Sequence, residues 1–162
     1  MARKFEIALR TRALQYLARR EHSRAELRAK LEPHVAEGDD LEAELDALAA
    51  RGWLSDARAA DQLINQRRDR FGARRIAHEL KQKGIGDDLV HAALPQLKET
   101  ELETARTVWG KKFSSPPHDA KEKARQIRFL QSRGFELETI LTVIKLSSSP
   151  EDEAGYPHES QD

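Results

Sequence analysis

The chain has 162 residues, of which 35% are charged and 38% hydrophobic, and its 28 basic and 28 acidic residues cancel to a formal net charge of zero. It contains no cysteine, which excludes disulfide bonds and thiolate metal sites. No apolar run approaches membrane-spanning length and the first residues lack the apolar centre of a signal peptide, so we expect a soluble, cytoplasmic protein without membrane contacts.

The first third of the chain predicts three helices. β-branched residues are scarce and apolar residues recur at spacings of three and four, which indicates an all-α protein. A helix over roughly 5–20 precedes SRAELRAKLEPHVAEGDDLEAELDAL, which supplies two more. In the joint RGWLSD, at 51–56, we expect Gly52 to end a helix, Trp53 and Leu54 to be buried, and Ser55 or Asp56 to begin the next helix.

The middle third repeats this pattern. A helix over roughly 56–69 is followed by RFGARRIAHELKQKGI, at 70–85, in which apolar and charged residues occupy opposite helix faces. Gly84 is the expected left-handed residue at the helix end, and Asp87 or Asp88 is the expected cap of the next helix.

The last third contains the same elements about 50 residues later. A predicted helix at 101–113 is followed by the proline-containing break FSSPPHD. Further along, Gly134 matches Gly84 and Phe135 matches Ile85. In the first unit, Ser23 matches Gly72. The sequence therefore predicts an elongated array of three tandem three-helix modules, at 1–54, 55–98 and 99–146. Residues 147–162, with five acids and no base, are expected to form an acidic, disordered tail.

Charge is sorted by helix. Residues 67–85 carry seven Lys and Arg against two acids and residues 111–133 carry seven against two, whereas residues 32–50 carry seven acids and no base. If the modules stack in register, the basic helices would form a stripe suited to an extended acidic or polyanionic partner. The alternative is that each basic helix is an ordinary solvated surface.

No motif for catalysis or cofactor binding is evident. WGKKF, at 109–113, lacks the leading glycine and the hydroxyl of a phosphate-binding loop, and none of the six histidines has a partner four residues away. The pairs Asp39-Asp40 and Asp87-Asp88 are explained by helix capping. The aromatic residues occupy core-like or joint positions, so exposed stacking rings are not expected, and a helix-turn-helix signal is weak in an all-helical chain. We expect no cofactor, no metal and no enzymatic activity.

Four segments in order resemble the RecX family, bacterial regulators of the RecA recombinase: REHSRAELRAKL, GWLSDAR, RFGARRIAHELKQKGI and RQIRFLQSRGF. The resemblance covers roughly residues 13–146 and implies three tandem three-helix repeats. It also implies binding in the groove of the RecA filament on single-stranded DNA, with suppression of ATP hydrolysis, strand exchange and stimulated repressor cleavage, and so of DNA repair and the SOS response. Ala59 and Ala73 depart from the Phe and Pro common in the family, which brings the tightness of the module joint into question.

The basic residues are the candidates for contact with the RecA filament and with single- or double-stranded DNA. Non-specific nucleic-acid binding that competes for DNA and a passive helical scaffold are the alternative functions. We expect a monomer, with a domain-swapped dimer as an alternative. The candidate residues are Arg67, Arg68, Arg70, Arg74, Arg75, Lys81, Lys83, Arg19, Arg20, Arg24, Lys121, Lys123, Arg125 and Arg128.

Overall fold

The computed structural model describes residues 7–148, and every regular element within that range is helical, as the sequence predicts. The 3-10 turn Glu32–His34 follows the second helix. The α-helices are α1 (Leu9–Arg19), α2 (Arg24–Leu31), α3 (Leu41–Ala50), α4 (Asp56–Arg67), α5 (Ala73–Gln82), α6 (Asp87–Glu99), α7 (Glu101–Lys112), α8 (Ala120–Ser132) and α9 (Leu137–Ser147).

Short polar side chains fix where several helices begin. Ser23 caps α2 in a reciprocal capping box with Glu26, and Asp40, Ser55 and Asp119 each accept a backbone N–H at the start of their helices. Before α6 the expected carboxylate cap is wrong. Gly86 occupies the cap position without a side-chain bond, and the two aspartates lie in the first helical turn, where their charge favours the positive helix end.

Each group of three consecutive helices surrounds its own apolar core. The core of α1–α3 contains Leu27, Leu31, Leu45 and Leu48, the core of α4–α6 is built around Ile76 and Leu80, and that of α7–α9 around Leu130, Phe135 and Ile140. The buried members of these clusters span 9–54, 59–97 and 105–144. We therefore retain the predicted module boundaries as a proposal.

Two expectations about individual residues meet different outcomes. Leu54 is buried as predicted, but Trp53 is 43% exposed and its ring lies beneath the guanidinium of Arg51, 5.1 Å from the ring centre. The prediction of a buried Trp53 is therefore wrong. Arginine stacking supplies part of the ring's contact instead, which keeps the charged group hydrated.

The acidic tail lies almost wholly outside the described residues, since these end at Ser148. Among the described helices, none combines the length and the apolar character that a membrane crossing requires.

Candidate interaction surface

The middle helices of successive modules meet end to end. At the joint between α8 and α5, Gly72 N–H donates to the Arg133 carbonyl at 2.8 Å and Arg74 N–H donates to the Gly134 carbonyl at 3.2 Å. At the joint between α5 and α2, the Ser23 hydroxyl donates to the Lys83 carbonyl. In both joints the amino end of one helix uses the free carbonyls at the carboxyl end of the next, so partial charges of opposite sign face each other.

An acidic residue from the following module completes each joint. Asp56, the first residue of α4, accepts the N–H of Arg24 at 2.7 Å, and Glu101, the first residue of α7, accepts the N–H of Ala73 at 3.1 Å. Glu101 is buried and its second oxygen accepts the hydroxyl of Thr139 at 3.1 Å. The departure at Ala73 therefore has a use in this chain, because a proline there would have no N–H to donate.

Two glycines let the helix ends approach this closely. Gly84 and Gly134 have φ of +73° and +85°, the left-handed conformation that the sequence predicts for Gly84. A Cβ atom added at Gly84 would lie 2.4 Å from the Ala25 Cβ, and one added at Gly134 would lie 2.3 Å from the Arg75 Cβ. Both joints thus require glycine for its backbone conformation and for its lack of a side chain.

A polar groove opens at the α5–α8 joint. It has a volume of about 700 Å³. Its walls carry cationic and amide side chains and only one carboxylate, that of Glu79. The lining residues are Arg74, Arg75, His78, Glu79, Gln82, Gln131, Ser132 and Gly134. Such a lining offers hydrogen-bond donors and positive charge to an anionic group.

Four guanidinium groups surround the half-buried ring of Phe71 beside this groove. Those of Arg75, Arg133, Arg70 and Arg67 lie 4.1, 5.6, 5.8 and 5.9 Å from the ring centre. Arg75 also donates to the Ser132 carbonyl at 3.3 Å, across the joint.

One carboxylate balances part of this positive cluster. Glu79 pairs with Arg67 at 3.0 Å and with Arg75 at 3.4 Å. Within the described residues, Arg70 and Arg133 have no carboxylate partner. The α5–α8 joint therefore carries positive charge that the neighbouring acids do not cancel.

The first module differs because its basic residues are paired locally. Arg24 bonds to Glu42 at 3.0 Å and to Asp46 at 2.6 Å, and Arg28 bonds to Glu42 at 2.6 Å. These bonds lower the pKa of the Glu42 carboxyl to about 2 and raise the pKa of both guanidinium groups. Acids of α3 thus pair with Arg24 and Arg28 of α2, so these two charges of the conditionally expected basic stripe are compensated within the first module.

At the α2–α5 joint, Glu26 likewise forms ion pairs with neighbouring basic residues. Burial opposes its ionisation, but hydrogen bonds from Arg20, from the Ser23 backbone and from Lys83 outweigh that effect and lower the pKa of the Glu26 carboxyl to about 2. Arg20 and Lys83 lie 2.8 and 3.2 Å from the same carboxylate oxygen. Lys83 therefore helps to hold two modules together, whereas Arg20 pairs with Glu26 inside the first module.

His22 is buried in the same module, and its burial favours the neutral ring. Burial lowers the pKa of His22, and its Nε2 lies 2.8 Å from the Lys30 ammonium while Nδ1 lies 3.1 Å from the Arg20 carbonyl. A neutral ring with Nδ1–H donating and Nε2 accepting satisfies both contacts. Across residues 7–148, no group of three or more His, Cys, Asp and Glu side chains is placed to hold a metal ion.

The structure separates the predicted site residues into two sets. Six form ion pairs: Arg20, Arg24, Arg67, Arg75, Lys83 and Arg125, the last through a long and exposed contact to Glu122 at 3.5 Å. The other eight form no ion pair among the described residues: Arg19, Arg68, Arg70, Arg74, Lys81, Lys121, Lys123 and Arg128. Of the fourteen, Arg74 and Arg75 line the groove, and Arg67 and Arg70 join Arg75 around the Phe71 ring.

Several residues of this surface were not among the candidates. The groove is also lined by His78, Gln82 and Gln131, and the cluster around Phe71 includes Arg133. Arg133 carried a usable signal, because it precedes Gly134 as Lys83 precedes Gly84. Nothing in a charge count singles out the glutamines.

Three family models match this chain in order. They are described as RecX, first three-helix domain, at residues 10–40; RecX, second three-helix domain, at residues 55–94; and RecX, third three-helix domain, at residues 99–144.

Full-length relatives and solved structures agree with these matches. Proteins named "Regulatory protein RecX" from Leptothrix cholodnii and Ralstonia nicotianae are 48% and 41% identical, over 91% and 93% of this chain and 94% and 95% of theirs. The crystal structure of RecX from Lactobacillus salivarius superposes with a TM-score of 0.72 at 23% identity, over 85% of this chain and 93% of that one. At this identity the structural likeness concerns the fold.

Proposed function

Because the chain belongs to the RecX family of regulatory proteins, we propose that it regulates the RecA recombinase by binding in the groove of the RecA filament on single-stranded DNA. Bound there, it suppresses ATP hydrolysis, strand exchange and stimulated repressor cleavage, and so moderates DNA repair and the SOS response. Direct contact with the DNA is a second component of the same proposal.

The observation that carries the proposal is the arrangement of α8 and α5, whose joint is bridged by the Gly72–Arg133 and Arg74–Gly134 hydrogen bonds. Arg74 and Lys81 on α5 and Arg128 on α8 are exposed and form no ion pair among the described residues. An ion pair within the chain would have to be broken before such a group could bind a partner, so unpaired bases are the ones available for binding.

The modular architecture suits a target that repeats along an axis. Each exposed base contributes little by itself in water, but groups held on one body bind a second site at high effective concentration once the first is engaged. A chain of helix ends joined by hydrogen bonds keeps that spacing fixed. We therefore expect the protein to contact more than one RecA protomer.

The test compares two doubly charge-reversed variants in ATP hydrolysis by preformed RecA filaments. Arg74→Glu with Lys81→Glu alters the exposed face of α5 and leaves the Glu79 and Ser132 contacts of Arg75 intact. Lys98→Glu with Arg106→Glu makes the same charge change on exposed residues of α6 and α7, outside the groove. We expect the first variant to lose inhibition by at least about tenfold in concentration and the second to inhibit as the unaltered chain does.

Affinity for naked single-stranded DNA, measured in the same buffer, separates the two classes of target. Inhibition at concentrations that leave naked DNA unbound supports the filament as the target. Inhibition that begins only when DNA is saturated, and that weakens steeply with salt, would replace this proposal with competition for phosphate. Equal inhibition by both variants would contradict the role of α5.

A further inference from the structure

The two inter-module joints are built alike but carry opposite charge at one position. Counted from the cap, Glu26 is the third residue of α2 and Arg75 is the third residue of α5. Lys83 and Arg133 are likewise equivalent, as the last residues before the left-handed glycines. At the first joint the pair is Glu26 and Lys83, with Nζ and Oε2 3.2 Å apart. At the second joint the corresponding pair is two arginines.

At this position the second joint therefore has an arginine where the first joint has a carboxylate, and its one nearby carboxylate, Glu79, stands one turn later, where the first joint has Lys30. Arg75 and Arg133 both lie within 6 Å of the Phe71 ring centre, and Arg70 joins them there. Glu79 reaches Arg75 and Arg67, which leaves the other two guanidinium groups without a carboxylate among the described residues. Like charges held this close repel one another, and a groove of about 700 Å³ beside them is open to an anionic ligand.

We infer that the α5–α8 groove is a carboxylate-binding site whose occupant is the acidic carboxyl-terminal segment of the same chain, residues 151–162. This segment contains five acids and no Lys or Arg. The acids are Glu151, Asp152, Glu153, Glu159 and Asp162. Carboxylates pair with guanidinium groups through two parallel hydrogen bonds, which is the chemistry that the groove offers.

The segment contains enough residues to reach the groove. α9 begins three residues after Gly134 and its 11 residues make a helix about 16 Å long. The 14 residues from 149 to 162 can span up to about 45 Å when extended. That length exceeds the length of α9, so the number of residues is sufficient for acids of this segment to reach Arg74 and Arg75.

The contact makes the groove self-inhibited. For a tethered segment the effective concentration is about 1 mM, so an intrinsic dissociation constant of about 0.1 mM would weaken binding of a competing acidic or phosphate-bearing partner about tenfold. This regulatory consequence rests on the proposed function, whereas the contact itself does not. The two parts can therefore be tested separately.

Paramagnetic NMR tests the contact on the full chain. The absence of cysteine allows a nitroxide label to be attached at Ser160→Cys alone. We expect broadening of the amide signals of Arg74, His78 and Gln131 that disappears at high salt and in a neutral-tail variant. That variant carries Glu151→Gln, Asp152→Asn, Glu153→Gln and Glu159→Gln.

Two substitutions serve as controls for the NMR experiment. Arg74→Glu should reduce the broadening and Lys98→Glu, outside the groove, should not. Absence of broadening at the groove, or broadening that salt and the neutral tail leave unchanged, would overturn the inference. Broadening in a mixture of labelled unenriched chain and unlabelled ¹⁵N chain would also overturn it, because the occupant would then be a second copy.

Inhibition of RecA completes the test. If the proposed function holds, the neutral-tail variant should inhibit at about tenfold lower concentration than the unaltered chain. Groove broadening with no inhibition of RecA by either chain would leave the carboxylate site standing and refute the proposed function. Groove broadening with equal inhibition by both chains would overturn the self-inhibition.

Discussion

Substitution of Gly84 by alanine tests whether the modules are locked together at their helix ends. The added Cβ would lie 2.4 Å from the Ala25 Cβ of the preceding module, and φ at this position is +73°. Gly52 has the same φ of +73° but nothing within 4 Å of its added Cβ. Gly52→Ala therefore incurs the backbone cost alone and serves as the matched control.

The expected magnitudes follow from these two geometries. A left-handed alanine costs about 1–2 kcal/mol, reduced by about 0.5 kcal/mol through the stiffer unfolded chain, so we expect Gly52→Ala to destabilise by about 1 kcal/mol. Gly84→Ala adds overpacking at the joint, which costs about 2 kcal/mol more. With a urea slope of about 2 kcal/mol per molar, the unfolding midpoints should fall by about 0.5 M and 1.5 M.

A second substitution isolates the clash itself. Ala25→Gly removes the atom that a Cβ at residue 84 would meet and costs about 1 kcal/mol through its lower helix propensity. In the double variant we expect a total destabilisation of about 2 kcal/mol rather than 4, a coupling of about 2 kcal/mol between the two sites. Strict additivity, or equal midpoints for Gly84→Ala and Gly52→Ala, would refute the close approach of the helix ends.

Three further predictions concern single side chains. Glu101→Ala leaves the Ala73 N–H and the Thr139 hydroxyl without their acceptor, so we expect urea unfolding to show a loss of about 3 kcal/mol. The exposed Glu103→Ala should cost less than about 0.5 kcal/mol, and similar losses for the two variants would contradict the bridging role of Glu101. The pKa of Glu26 is lowered from 4.5 to about 2, so the stability that its charge contributes is present above about pH 4.5 and is lost as the pH falls toward 2. When the unfolding midpoint is measured against pH, Glu26→Gln should therefore reduce the loss of stability between pH 4.5 and pH 2. Trp53→Ala should cost less than about 2 kcal/mol and Phe135→Ala about 3–5 kcal/mol in the same denaturation assay, and the reverse order would place Trp53 in the core after all.

Local sequence signals predicted the architecture because each acts within a few residues. Gly84 and Gly134 adopt the left-handed conformation that ends a helix, Ser23 caps α2 where its match to Gly72 placed a helix start, and the FSSPPHD segment separates α7 from α8. Backbone conformation and capping depend on neighbouring residues, so an internal repeat of about 50 residues is visible without a structure.

The candidate surface was harder to predict because pairing joins residues far apart in the sequence. Arg24 pairs with Asp46 and Lys83 with Glu26, separations of 22 and 57 residues, and no charge count distinguishes them from the unpaired Arg74. Exposure of Trp53 likewise depends on how the RGWLSD loop leaves α3. A basic helix in a sequence therefore identifies a surface, and only the fold identifies which of its charges are available.

The joints determine what the surface can do. Each module buries its own core, and the contacts that place one module against the next include the hydrogen bonds between helix ends and the carboxylates of Asp56 and Glu101. These groups fix the spacing of bases on α5 and α8. Substitutions at the joints should therefore weaken inhibition of RecA more than a core substitution of equal stability cost, measured at a temperature where both variants remain folded. Equal losses of inhibition at equal stability would mean that the modules bind independently and that their alignment does not matter.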